Sequence, residues 1–470
     1  MWTTRDAGVG EEAPSGASSE ASSGPPEGSP SGALAREVLG LAVPALGALV
    51  AEPLFLLADS AIVGRLGTAP LAGLGLAGAI LGTAVNLFIF LAYGTTASVA
   101  RRVGAGDLRA ALTQGVDGMW LGLALGALSA VLGVAFAPAL VGVFGPSADV
   151  AAQAVTYLRY SMPGIPAMLV LLAATGVLRG LQDTRTPLIV YATGAAVNAA
   201  MNLALVHGLG LGIAGSGLGT ALTQLGMAAA VAVVVVRGAR RHRAALRPDL
   251  AGILASGRSG VPLLVRTLAL RVALLLTTWV ATSKGDAALA AHQVVSSIWT
   301  LLALTLDAIA IAAQALTGKA LGAGDVAGVR AATALMVRWG LGVGAVLGVV
   351  LFVVRGWLGP LFVDDPAVWR AMAWALVVAA LIQPLAGYVF VLDGVLIGAG
   401  DGRYLAVAGV VQVLLYAPVA VAVAVLAPSG AVGLAWLWVS FGFGYMAARA
   451  LFLGLRARGS AWLVTGATRG

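Results

Sequence analysis

Cysteine is absent from the 470 residues, so disulfides and thiolate metal sites are excluded, and the three histidines (His207, His242, His292) are scattered without ligand spacing. Charge is scarce as well, with Asp, Glu, Lys and Arg making up 10% of the chain. No DDxxD pattern occurs, although a membrane prenyl transferase would need such clustered carboxylates for magnesium and diphosphate; Asp364 and Asp365 fall in a connection between apolar spans. An enzyme reading has little to stand on, and no metal or cofactor is expected. What fills the chain is apolar: 60% hydrophobic residues and a mean hydropathy of +0.96 are far beyond a soluble domain of this length. The class is a polytopic membrane protein. The net charge of +8 comes from arginines in short connections between apolar spans, so basicity reports topology rather than a nucleic-acid partner.

Residues 1–35 are rich in Gly, Ser, Pro and Glu, and the stretch lacks the apolar region of a signal peptide. It is expected to be a disordered cytoplasmic tail. From Arg36 onward, apolar spans of about 20 residues, the length a ~30 Å hydrocarbon core requires, succeed one another between polar breaks. They cover roughly 37–63, 72–98, 112–138, 154–178, 187–206, 213–236, 261–282, 290–316, 331–354, 367–397, 404–426 and 431–454. The expected fold is therefore all-α with twelve transmembrane helices, because lipid offers no partners for strand edges and the spans lack the alternation of an outer-membrane barrel. Arg101, Arg102 and Arg109 follow span two, Arg179 and Arg185 follow span four, and six arginines follow span six; the connections after spans three, five and eleven contain no Lys or Arg. Both termini are thus expected in the cytoplasm, in a multi-pass cell-membrane protein with a basic linker at 238–260 and a second cytoplasmic tail at 457–470.

An internal repeat carries more information than the spans. GAGD at Gly104–Asp107 returns at Gly322–Asp325, and GVLRGLQDTR at Gly176–Arg185 returns as GVLIGAGDGR at Gly394–Arg403; both separations are 218 (322 − 104; 394 − 176). The same shift pairs Gly67 with Gly285, Leu71 with Leu289, Phe144 with Phe362 and Pro166 with Pro384. One GAGD would merely end a helix, but several motifs in one register mark a duplication. Each half, 36–237 and 261–456, holds an even number of spans, so the two six-helix lobes should be related by an axis along the membrane normal, with substrate sites near the midplane.

Where the halves differ, function is to be sought. Under the shift Asp59 pairs with Thr277, Asp307 with Ile89, and Asp393 with Thr175. A carboxylate deep in a membrane costs ~3 kcal/mol on insertion scales and reads as functional by default, the plain alternative being a helix-bridging hydrogen bond. Asp59 is the candidate proton site. Glu52 lies seven residues earlier, within ~20° on the same helix face, and is a second protonatable candidate. Pro53 between them removes a helix hydrogen bond and marks a bend, so a proton and a hinge are neighbours. Asn198 and Asn202, four apart on one face of span five, either bond neighbouring helices or line a cavity. Trp279, Trp299, Trp374 and Tyr388 could line a path for flat lipophilic molecules; taken singly, each fits packing or interface anchoring better.

The stretches PLFLLADSAIVGRLGTAPLAGLGLA, AAHQVVSSIW, TLDAIAIAAQALTGKALGAGD and YVFVLDGVLIGAGD together resemble the MATE (multidrug and toxic compound extrusion) family, in particular its DinF-like branch, over nearly the whole chain after the tail. The resemblance implies two six-helix lobes around a V-shaped cleft, exporting lipophilic cations or related drug-like compounds in exchange for inward H+ or Na+. It also implies a proton-coupling role for Asp59 beside a bending first helix, and cation binding around Asp307 and Asp393; Asn198, Asn202 and Tyr388 are further substrate-site or cation-site candidates from the residues themselves. Two departures matter: Asn202 stands where many relatives place an aspartate, and the seventh span carries Arg266 and Arg271 but no glutamate. The first makes any partnership with Asp59 a neutral hydrogen bond rather than a shared charge; the second favours protons over sodium, although sodium held by Asp307, Asp393 and backbone oxygens stays open. A monomer is expected. An organic-acid exporter of the same fold is one alternative. A flippase for a lipid-linked precursor is another and would require a strongly cationic cavity; a channel fits single buried acids less well than alternating access does.

Overall fold

A computed structural model describes residues 30–362 and 364–468. Residues 1–29 of the expected tail lie outside the described residues. Twelve helices long and apolar enough to cross a membrane follow in order: α1 (Gly32–Gly64), α2 (Thr68–Gly104), α3 (Leu108–Ala135), α4 (Ala148–Gly180), α5 (Arg185–Gly208), α6 (Gly212–Arg241), α7 (Leu250–Thr282), α8 (Asp286–Gly322), α9 (Val326–Phe362), α10 (Pro366–Gly398), α11 (Gly402–Leu426) and α12 (Ala431–Arg458). The first helix in fact starts at Pro30, inside the stretch expected to be tail, and it runs unbroken through Pro44 and Pro53. The largest departure from the hydropathy spans is α7, which begins at Leu250 where 261 was expected. Its extra turns interrupt the apolar run with Arg258 and several glycines and serines without ending the helix; Asp249 caps them by accepting from the backbone N–H groups of Ala251 and Gly252.

The repeat is visible in the packing. In the first half, Gly122 and Gly126 of α3 lie against Leu169 and Pro166 of α4; in the second, Gly340 and Gly344 of α9 lie against Gly387 and Pro384 of α10, each position shifted by 218. Small residues four apart let helix backbones approach closely, which is how helices associate where lipid is as apolar as leucine. The motif that returns in sequence does the same job: Gly176 and Gly180 pack onto α2, and Gly394 and Gly398 pack onto α8. In consequence α4 and α10 are the most buried of the twelve helices, each at the centre of its lobe. A methyl group at Gly340 would sit 2.6 Å from the Gly387 carbonyl oxygen. Gly340→Leu is therefore expected to break the α9–α10 contact, with detergent-solubilised protein losing its monodisperse elution and cooperative melting, whereas Gly342→Leu, whose site is open, should leave both intact.

The lobes meet at the end of the bundle where the arginine-rich connections lie. There Gln314 of α8 donates to the Tyr93 carbonyl at 2.6 Å, Arg101 of α2 donates to the Ala399 carbonyl at 3.2 Å, and Lys319 of α8 donates to Gln182 at 2.6 Å. Ala45 of α1 packs on Ala308 and Ile311 of α8 in the same region. Arg101 and Arg179, which the sequence placed among loop charges, are buried near the ends of α2 and α4. The helices simply outlast their apolar spans.

Candidate functional site

Asp59 is 1% exposed, and its carboxylate is surrounded by neutral donors. Asn202 Nδ2 of α5 donates to Oδ1 at 2.8 Å, Ser216 Oγ of α6 to Oδ1 at 2.5 Å, and Tyr157 Oη of α4 to Oδ2 at 3.3 Å. Tyr157 and Thr220 hydroxyls are 3.4 Å apart, and Asn202 Nδ2 also donates to Asn198 Oδ1 at 3.1 Å. Four helices of the first lobe thus converge on one acid, and among the described residues no cation pairs with it. Three hydrogen bonds satisfy the ionised carboxylate without cancelling its charge. Two buried atoms of the cluster lack a hydrogen-bond partner, Asn202 Oδ1 and Asn198 Nδ2. An amide with a vacant acceptor beside an acid can turn to accept a hydrogen bond from the acid's O–H once the acid is protonated.

Sequence reasoning brought Asp59, Asn198 and Asn202 forward and missed Tyr157, Ser216 and Thr220. The signal was present in the repeat register. Shifted by 218, those six positions become Thr277, Tyr416, Ala420, Ala375, Leu434 and Trp438. The second lobe has an apolar, aromatic interior in the same place, with Thr277 Oγ1 2.9 Å from the Tyr416 hydroxyl and Tyr416, Phe441 and Tyr445 in ring contact. A polar pocket in one copy has been filled with rings in the other.

The second lobe has its own charged chamber at a different position. Asp393 of α10 accepts from Arg266 Nε of α7 at 3.0 Å, pairs again with the second guanidinium nitrogen of Arg266, and lies 3.4 Å from Arg449 Nη2 of α12. Gln412 and Tyr445 complete the wall of a cavity of about 10 Å3, room for about one water. Two guanidiniums around one carboxylate leave the chamber one positive charge in excess. Arg449 was not singled out in the sequence; its repeat equivalent is Val231 and that of Arg266 is Ala48, so the same comparison would have marked both.

Three other candidates lie apart from these clusters. Asp307 of α8 is half-buried, within electrostatic reach of Arg179 of the first lobe and Arg266 of the second. Glu52 is exposed and borders Tyr191 of α5, so the two acids of α1 flank one helix yet differ in surroundings. Tyr388 packs its hydroxyl against Gly454 of α12 and does not line the chamber. Among the described residues no group of three His, Asp or Glu side chains is arranged to hold a metal ion.

A duplicated bundle of twelve membrane helices in two lobes, with a buried acid in each, defines a polytopic transporter. The profile of the MatE family matches residues 44–204 and 262–422, two segments offset by 218 at both ends (262 − 44; 422 − 204). The chain belongs to the MATE family, the multidrug and toxic compound extrusion transporters. It is 30% identical to protein DETOXIFICATION 44, chloroplastic, of Arabidopsis thaliana, covering 92% of this chain and 82% of that one. It is 28% identical to the probable multidrug resistance protein NorM of Pseudomonas putida (85% and 90% covered), and 26% identical to DNA damage-inducible protein F of Escherichia coli (76% and 79%). Among solved structures, the Vibrio cholerae MATE transporter VcmN in its bent form superposes with a TM-score of 0.82 at 21% identity, over 91% of this chain and 98% of that one. A MOP superfamily transporter from Pyrococcus furiosus, described as having a binding pocket of reverse polarity, superposes with a TM-score of 0.80 at 20% identity, over 90% and 96%. The two likenesses show the fold.

Proposed function

We propose that this protein exports lipophilic, cationic small molecules across the cell membrane in exchange for inward protons, with both termini in the cytoplasm, and that Asp59 carries the proton. The observation behind this reading is the Asp59 cluster: a buried carboxylate held by three neutral donors, with a vacant amide oxygen beside it. A hard cation such as sodium needs several free oxygen ligands, whereas a proton needs one. At Asp59 the oxygens already accept three hydrogen bonds, and at Asp393 two guanidiniums occupy the place a cation would take. Asp393 is on this reading a structural partner of Arg266 and Arg449, while Asp307 and Glu52, facing more open surroundings, are the acids available to a cationic substrate.

The cycle then follows from the packing. With the lobes sealed at the basic, cytoplasmic end, Asp59 is reached from outside and takes a proton; the Asn202 amide turns its vacant oxygen to accept a hydrogen bond from the new O–H. Losing the charge frees α1 to repack about Pro53, whose ring removes the hydrogen bond to the Leu49 carbonyl, and substrate is displaced. Facing inward, the proton leaves and the charged acid restores the site for the next substrate. Each proton moving inward contributes ~2.3 kcal/mol per 100 mV of membrane potential, enough for modest accumulation before any pH gradient. The test is uptake of a panel of cationic dyes into inverted vesicles with the two gradients collapsed separately. Uptake should stop when the proton gradient is collapsed and persist without sodium; dependence on sodium alone contradicts the reading.

The excess positive charge of the second-lobe chamber favours one other reading, export of organic acids. Adding a radiolabelled dicarboxylate to the same vesicle assay separates the two. Uptake that Arg449→Gln abolishes, with the dyes inert, would replace cations by anions as substrates. A pyrophosphate-linked lipid is disfavoured because two arginines, one of them already matched by Asp393, fall short of a strongly cationic cavity.

A further inference from the structure

At the basic end the lobes cross in a way that obeys the repeat. Gly104 of α2 lies on the carbonyl of Lys319, and Gly322 of α8 lies on the carbonyl of Arg101. The positions are related by the shift, since 104 + 218 = 322 and 101 + 218 = 319. The cations extend the relation: Arg101 reaches the α10–α11 connection at the Ala399 carbonyl, and Lys319 reaches the α4–α5 connection at Gln182. One element breaks this symmetry. After α12 ends, residues 459–468 fold back under the bundle, and Trp462 is 1% exposed, its indole N–H donating to the carbonyls of Ala457 at 3.1 Å and Gly459 at 3.0 Å. The Val464 carbonyl accepts from Arg101 Nη2 at 2.5 Å, and the Gly466 N–H donates to the Leu321 carbonyl at 3.0 Å. The end of α12 from which the segment departs is itself pinned: Arg456 holds Asp401 at 2.7 and 3.2 Å and covers the Tyr404 ring at 4.7 Å.

We propose that residues 459–466 and Arg101 form a strap that holds the basic-end gate shut, a control element on the transport cycle separate from the proton and substrate sites. The segment is fastened to the second lobe through Trp462 and Gly466 and to the first lobe through Arg101. Arg101 is a positioning residue here, 3% exposed, with its charge directed at carbonyls of the opposite lobe and of the strap. Alternating access, on which this inference rests, separates the lobes at this end. The Arg101 guanidinium then leaves Ala399 and Val464 together, whereas Lys319 reaches Gln182 and, at 3.8 Å, Glu37 of α1, and among the described residues it does not touch the C-terminal segment. The strap therefore biases the equilibrium toward the state closed at this end. A hydrogen bond from a charged donor is worth about tenfold in a population ratio (~1.4 kcal/mol), which sets the scale of the bias.

The natural absence of cysteine allows paired spin labels to be introduced without background substitutions. Ala105 with Ala323 reports the basic end and Thr68 with Asp286 the opposite end; all four are exposed, and each pair is related by 218. Distances are measured in the full chain, in a chain ending at Gly459, in Trp462→Ala and in Arg101→Gln, in each case in nanodiscs without substrate. The strap predicts that all three variants lengthen the basic-end distances and shorten the opposite-end distances, with the population ratio moving about tenfold. Arg101→Lys, which copies the residue at the equivalent position, should restore part of the shift. Unchanged distributions in Trp462→Ala and Arg101→Gln overturn the proposal, as does broadening at both ends together, which would signal loosened packing. None of these readouts requires transport, so a failure of the proton-coupling assignment is distinguishable from a failure of the strap.

Discussion

Replacing Asp59 by asparagine is expected to lower drug resistance and substrate-driven proton flux in vesicles by ~100-fold or more, to background, while the protein still inserts, elutes as a single species and keeps its helical content. The fold should tolerate the change because the cluster can rearrange around an amide. Ser216 and Tyr157 carry hydroxyls that donate or accept, and Asn202 has a vacant oxygen to meet the new N–H group. What the variant lacks is the titratable carboxylate, and among the described residues no other acid hydrogen-bonds these partners. Transport at parental rates in Asp59→Asn would remove Asp59 from the mechanism. Ser216→Ala provides a graded companion: loss of one donor to the carboxylate should weaken coupling by several-fold without abolishing it, because Asn202 and Tyr157 remain.

The second large effect concerns stability. Arg266→Gln leaves the Asp393 carboxylate, about nine-tenths buried, with Arg449 at 3.4 Å as its remaining ionic contact among the described residues. Removing one partner of a buried ion pair typically costs 3–5 kcal/mol, because the survivor keeps its desolvation penalty. The single variant should therefore show a marked fall in thermal midpoint and yield. Removing all three charges, in Arg266→Gln/Asp393→Asn/Arg449→Gln, should recover most of that loss, whereas Arg266→Gln/Asp393→Asn, which strands the buried Arg449 without a counter-charge, should not. If Asp393 instead serves the transported cation, Arg266→Gln should leave stability unchanged and introduce a requirement for sodium or tighter dye binding. Thermal melting of the three variants in detergent, with and without sodium, distinguishes the outcomes.

Much of the architecture was legible because the two signals that specify it are long in sequence: apolar runs matched to a bilayer, and a register of 218 repeated across motifs. The ends of helices were less legible. Residues 250–260 extend α7 beyond the expected span through Gly, Ser and Arg258, and Arg101 and Arg179 lie in helices that continue past theirs. Hydropathy registers solvent, not hydrogen bonding, so such turns resemble loops. At the site, Asp59 and its amides could be named because an acid or a pair of asparagines in an apolar run is locally anomalous. Tyr157, Ser216 and Arg449 are not anomalous locally, since tyrosine and serine are ordinary in membrane helices and an arginine near a span end reads as a topogenic charge. Their roles come from contacts across more than fifty residues of sequence, and the one sequence signal for them is negative: Ala375, Leu434 and Val231 in the other copy. Comparing the copies position by position, beyond the acids alone, exposes both pockets. The Asp393 environment carries a further lesson, because an acid conspicuous in sequence turns out to be matched by two arginines from helices about 130 residues before it and about 60 after it.

The central claim is that Asp59 holds a proton that substrate binding displaces. Infrared difference spectroscopy of the purified protein in lipid reads this directly, through the carbonyl stretch of a protonated carboxylic acid. Adding a transported dye at a pH where the site is protonated should bleach one such band and release protons to the medium, and both signals should vanish in Asp59→Asn while persisting in Asp149→Asn, a change at an exposed acid away from both clusters. A bleach that survives in Asp59→Asn, or dye binding with no carboxylic-acid band and no proton release, would contradict it.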